Sequence, residues 1–118
     1  MKLIRNYVFW SILGFFLPLA SASAQDLPNV MKAVAVAQQG GVLNVKVTFQ
    51  ENLVSAPPGF SVAKPARIAF DFSNTTNGTG KTALPFNEGD LRSANVVQTE
   101  GRTRLVLNLN QAMTYEAT

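Results

Sequence analysis

The 118-residue sequence has no cysteine and no histidine, a single tryptophan, and charged side chains at only 14% of positions. Without cysteine no disulfide can staple a small exported domain, so apolar burial must hold it together. Nor is there a thiol to carry a lipoprotein anchor. The two absences together remove the Ser-His-Asp and Cys-His nucleophilic systems and the common zinc ligand sets. Paired carboxylates remain as potential acid and base. The only close pair, Glu88 and Asp90, brackets Gly89 and so reads as a turn. Asn77 to Lys81 (NGTGK) superficially resembles a phosphate loop but lacks its spacing. The expectation is a non-enzyme with no catalytic residue, no metal ligand and no cofactor.

Long uncharged runs are also missing, except at the start. Lys2 and Arg5 precede Tyr7 to Ala20 (YVFWSILGFFLPLA), and Ala22-Ser23-Ala24 follows, with Gln25-Asp26 beyond. A basic start, an apolar stretch and a small-x-small close are the marks of a secretory signal peptide, here residues 1–24. The apolar stretch is shorter than the ~20 residues needed to cross a bilayer, which disfavours an uncleaved anchor. Cleavage after Ala24 removes Trp10 and two of the ten basic residues. The remaining 94 residues carry eight basic and seven acidic side chains. The whole-chain pI near 9.6 therefore overstates the basicity of the exported part. No run of Lys or Arg survives to track a phosphate backbone, so nucleic acid is not an expected partner. Ninety-four residues make one small domain.

Strand periodicity dominates after residue 29. In Val42 to Gln50 (VLNVKVTFQ), Leu43, Val45, Val47 and Phe49 alternate with Asn44, Lys46, Thr48 and Gln50. Successive strand side chains face opposite sides, so this is a strand with one dry and one wet face. Val30 to Gln38 alternates Val34 and Val36 with Ala33, Ala35 and Ala37. Gly40-Gly41 lies between the two runs and predicts a hairpin turn. Pro57-Pro58-Gly59 ends pairing in a loop. Arg67 to Phe72 (RIAFDF) places Ile68, Phe70 and Phe72 inward and Arg67, Ala69 and Asp71 outward. Asn74 to Thr82 reads as a polar loop and Asn87 to Asp90 as a turn. Ser93 to Gln98 is a short strand around Val96 and Val97. Arg104 to Leu109 (RLVLNL) places Leu105, Leu107 and Leu109 inward and Arg104, Val106 and Asn108 outward. Asp90 to Val96 has room for one helical turn at most. Short strands between Gly, Pro and Asn turns predict an all-β sandwich or barrel.

RIAFDF and RLVLNL match in residue type at every position, 37 residues apart. Either two core strands share a pattern, or two hairpin units are related by pseudo-symmetry, each with an Arg at its strand start. PARIAFDF (Pro65 to Phe72), LPFNEGDLRSANVVQ (Leu84 to Gln98) and RTRLVLNL (Arg102 to Leu109) together resemble the AMIN domain, in the form carried by type IV pilus secretins. The resemblance covers roughly Leu27 to Thr118. It implies a small β-sandwich of two facing sheets over residues 25–118, residence in the periplasm and binding to peptidoglycan. It further implies pilus-assembly proteins as partners, and attachment to the outer membrane through a homo-oligomeric gate that lies elsewhere in such secretins. Met113 to Thr118 reads as the opening of a further strand that the family completes, so the C-terminal strand is expected to be truncated.

Peptidoglycan offers hydroxyls, amides and peptide carboxylates. The planar fork of Arg donates two parallel hydrogen bonds to a carboxylate. Arg67, Arg104, Arg92 and Asp71 are therefore the candidate ligand-binding residues, with Asn108 as a further polar partner and Arg102 nearby. The competing explanation for each is an ordinary solvated position in a weak surface pair. Phe49, Phe70 and Phe72 are expected in the core, and Phe60 is expected to plug one end of the sandwich. Two other readings are a protein–protein adaptor and the targeting domain of a cell-wall amidase.

Overall fold

The computed structural model describes residues 27–118. The expected signal peptide, residues 1–24, lies outside the described residues. Eight strands make two sheets, and there is no helix among the described residues. In chain order they are β1 (Asn29–Gln39), β2 (Val42–Phe49), β3 (Gly59–Ala63), β4 (Ala66–Ser73), β5 (Thr75–Asn77), β6 (Ala83–Glu88), β7 (Leu91–Thr99) and β8 (Arg102–Leu109). The expected all-β sandwich is thus the fold. One sheet has the order β2-β1-β5 and the other β3-β4-β8-β7-β6.

Gly40 and Gly41, with φ of 54° and 79°, close the β1–β2 hairpin, since only a residue without Cβ adopts that backbone cheaply at both positions. Val36 faces Val45 and Val34 faces Val47 across it. A bulge between Met31 and Ala33 shifts the register, so that Met31 and Val34 both turn inward despite their odd spacing. Met31 is fully buried.

The five-stranded sheet supplies most of the core. Ile68 and Phe72 of β4, Ala94 and Val96 of β7, and Leu105, Leu107 and Leu109 of β8 are all buried. Their residue numbers follow the period-two alternation of their strands. The Phe49 and Phe72 rings, 5.0 Å apart, join the two sheets through the middle.

Five segments differ from the sequence expectation. Thr75–Asn77, expected in a loop, is a short strand parallel to β1. Asn74, at φ 47°, swings the chain from the end of β4 into the other sheet, and its carbonyl accepts from Asn29 N at 2.8 Å. Hydrogen bonds among Asn77, Thr79 and Lys81 then tie the following turn to itself. Gly59–Ala63 and Ala83–Glu88 are the two outer strands of the larger sheet; β6 alternates exposed and half-buried side chains, whereas β3 has no clean alternation. Pro85 fits on β6 because an edge strand need not donate every N–H. Leu91 to Ser93 belongs to β7 rather than to a helical turn. Met113–Thr118, expected to open a strand, has none assigned. Tyr115 instead packs edge-on against Phe70, with ring centroids 5.2 Å apart.

Between the sheets, beside β2, lies a crevice of about 920 Å³ lined by Leu43, Val45, Ile68, Phe70, Leu107 and Met113 among others. It explains why Leu43, Val45, Val47 and Phe70 are only half-buried.

Candidate functional site

Strand register assembles the site. β4 and β8 are neighbours in the centre of the larger sheet, paired antiparallel. Their inward residues form the core, so their outward residues share the opposite, solvent-facing surface. Arg67 pairs with Asn108, Ala69 with Val106, and Asp71 with Arg104. β3 adds Phe60 beside Ala69 and Val62 beside Arg67. β7 adds Ser93 beside Asn108, Asn95 beside Val106, and Val97 beside Arg104. The result is a flat face with arginines at opposite ends of two adjoining strands, an apolar middle and a row of small polar side chains.

Arg104 and Asp71 form a bidentate pair. Arg104 Nε donates to Asp71 Oδ1 at 2.7 Å and Nη2 donates to Oδ2 at 2.9 Å. The pair is partly exposed, with 38% of the Arg104 side chain and 24% of the Asp71 side chain open to solvent. The Arg104 hydrogen bonds hold the Asp71 carboxyl below the usual carboxylate range, against a smaller opposing effect of burial and with further attraction from Arg104 and Arg102. Conversely, the hydrogen bond from Asp71 pushes the Arg104 guanidinium further up. The guanidinium carbon also lies 5.3 Å from the centre of the Phe60 ring, within range of a cation–π contact.

This arrangement corrects the expectation for Phe60. It does not plug the sandwich; it lies on the outer face, 48% exposed, under Arg104. Strand β3 carries it there, and alternation along β3 was too short to show this from sequence. Ala69 is outward as expected but buried, because Phe60 and Val106 flank it on either side.

Arg67 is exposed, and among the described residues no carboxylate lies within salt-bridge distance of it. Its cross-strand neighbour Asn108 donates through Nδ2 to Asn95 Oδ1 at 2.8 Å and to Ser93 Oγ at 3.1 Å. Ser93 and Asn95 were not among the candidates from sequence. Their signal was present: in SANVV they occupy alternate positions opposite the buried Ala94 and Val96. Arg92 is exposed where the β7–β8 register shifts between Leu91 and Ser93. It sits at the Arg67 end of the sheet, because Ser93 pairs with Asn108 and Asn108 with Arg67. The structure therefore places Arg67, Asp71 and Arg104 on one face and Arg92 at its rim. Arg102, opposite Ser73 and Thr99, occupies the other end.

Among the described residues no group of three His, Cys, Asp or Glu side chains could hold a metal ion. The face offers guanidinium and amide donors, hydroxyls and one ring edge. That is equipment for binding an anion with amides or hydroxyls beside it.

A sandwich of this form with paired R-x-x-x-D and R-x-x-x-N strands agrees with the match to known families: residues 34–118 match the AMIN domain model, and the chain belongs to the AMIN-domain family. Within that family it is similar to the fimbrial assembly protein PilQ of Pseudomonas aeruginosa, 36% identical over 87 residues, which cover 74% of this chain and 12% of that protein. It is also similar to the type IV pilus biogenesis and competence protein PilQ of Neisseria gonorrhoeae, 32% identical over 104 residues, covering 88% of this chain and 14% of that protein. The PilQ of Neisseria meningitidis is 32% identical over the same length. The chain thus spans about one-eighth of the length of these relatives. No solved structure matches it with comparable significance.

Proposed function

We propose that this chain is a periplasmic binding module of a type IV pilus secretin, which holds the secretin to peptidoglycan during pilus biogenesis and secretion. In this reading residues 1–24 are the export signal and 25–118 the folded domain. The module is non-enzymatic, and the full-length secretin supplies the homo-oligomeric outer-membrane gate and the contacts to pilus-assembly proteins. The observation that carries the reading is the outer face of β4 and β8. It exposes arginines and amides on a chain otherwise poor in charge, and its only acidic group is already consumed by Arg104. Such a face favours the acidic peptide mesh of the wall over neutral or cationic surfaces. Each contact of this kind is weak alone, and many copies in a ring multiply it through effective concentration.

Co-sedimentation with purified sacculi tests this. The chain is expected to pellet with sacculi above a matched control protein, and less so as salt rises. Recovery equal to the control would overturn the wall reading.

A second reading, an envelope protein adaptor, is favoured by one observation. Strand β2 pairs on one side only, and its half-buried side chains border the open crevice. An unpaired edge is a template for strand addition by a partner. Salt-insensitive binding to a pilus-assembly protein, without retention by sacculi, would favour it. The amidase-targeting reading has less support, since the similar proteins named above are all PilQ.

A further inference from the structure

The outer face is built around a local two-fold. Ala69 and Val106 lie opposite each other, with Arg67 opposite Asn108 on one side and Asp71 opposite Arg104 on the other. Turning the strand pair about the Ala69–Val106 rung exchanges Arg67 with Arg104, and Asp71 with Asn108. The repeated pattern in RIAFDF and RLVLNL is therefore two chemically homologous corners on one surface, each an arginine facing the fifth residue of the other strand.

The corners differ in one functional group. At the first, a carboxylate meets the guanidinium fork and takes both Nε and Nη2. At the second, Asn108 stands where Asp71 stands in its mate. A carboxamide carries no charge to neutralise Arg67, and its N–H groups are already turned to Ser93 and Asn95. Arg67 keeps the same strand position and the same geometry relative to the rung, without an acidic partner among the described residues.

We propose that the Arg67 corner is a carboxylate receptor, in which a ligand carboxylate takes toward Arg67 the place that Asp71 takes toward Arg104. The Asn108–Asn95–Ser93 row beside it is suited to the amide next to that carboxylate, with both hydrogen-bond donors and acceptors available. This rests on the wall-binding reading, and the ligand it commits to is the terminal carboxylate of a wall stem peptide. The Asp71–Arg104 corner is then a clamp between β4 and β8 rather than a second receptor. Its carboxylate occupies the fork, and Phe60 lies against the guanidinium.

The test is an NMR titration of the whole chain with N-acetyl-D-alanine and, separately, with its primary amide. The acid is expected to shift the Arg67 side-chain N–H and the Asn95 and Asn108 amide signals, and the amide derivative to leave them in place. Asn108→Asp supplies the absent carboxylate from within the protein. It is expected to weaken acid binding about tenfold or more, the scale of one hydrogen bond to a charged group; because it gives up the two bonds that Asn108 Nδ2 donates to Ser93 and Asn95, unshifted backbone signals of the buried β4 and β8 residues check that the sheet is kept. Arg67→Gln is expected to abolish the response. An equal response to acid and amide, or an undiminished response in Arg67→Gln or Asn108→Asp, would overturn the receptor. Sacculus co-sedimentation separates the two ideas. Retention that survives both substitutions sinks the receptor and leaves wall binding standing. A normal acid titration with no retention of the wild-type chain leaves the carboxylate site standing and removes the wall as its source.

Discussion

The two sheets are written in the same alternation but packed to different depths. On β8, Leu105, Leu107 and Leu109 are 1–6% exposed. On β2, Leu43, Val45 and Val47 occupy equivalent inward positions and are only half-buried. The larger sheet has three strands between its edges, whereas β2 is itself an edge and faces the crevice. Alternation thus reports which face of a strand is dry; how dry it becomes depends on the layer placed over it.

The sharpest way to break this contrast is to remove the same kind of side chain from each sheet. Leu105→Ala is expected to cost about 2–5 kcal/mol of unfolding free energy, since it opens a cavity where neighbours have little room to collapse. Denaturant unfolding measures it. Next comes Thr103, fully buried on β8, whose hydroxyl donates to the Thr75 carbonyl at 2.7 Å and so ties one sheet to the other. Thr103→Val keeps the shape and strands that carbonyl, with an expected loss of about 1–3 kcal/mol. Val45→Ala on β2 is expected to cost about 1 kcal/mol, because its methyl groups have left water only in part. A Val45→Ala loss as large as that of Leu105→Ala would mean that the crevice is closed in solution.

The smallest effect concerns the outer face. The Asp71 carboxyl is held below its ordinary range, so its pairing adds stability above the unfolded value and loses it as pH falls through the folded one. Wild type should therefore melt slightly higher than Asp71→Asn at neutral pH, and the gap should begin to narrow as pH falls below about 4, the ordinary carboxylate value. A gap that stays constant from neutral pH into acid would mean that the pair does not operate as described. Salt should narrow the neutral-pH gap, as the pair is partly exposed.

Most of the central strands were legible from local pattern. β1, β2, β4 and β8 each alternate over six or more residues, long enough for the period to stand out, and the double glycine announced the first turn. β3, β5 and β6 were not legible. They are short outer or cross-over strands of three to six residues, and tertiary pairing rather than their own composition makes them strands. Phe60 was misplaced for the same reason, since its strand has little period of its own. For the candidate site, the outward direction of Arg67, Arg104 and Asp71 was legible, whereas the parts played by Ser93 and Asn95 depended on β7 lying beside β8.

The amino-acid order alone determined that this is a β protein, which side chains of its longer strands face the core, and that this sequence carries no thiol or imidazole. Those properties follow from residue type and from a two-residue period that the longer strands obey over most of their length. Only the tertiary structure decided which arginine is satisfied and which is not. That depends on the register between two strands 37 residues apart, and a slip of one position between them would have put the two arginines on opposite faces of the sheet.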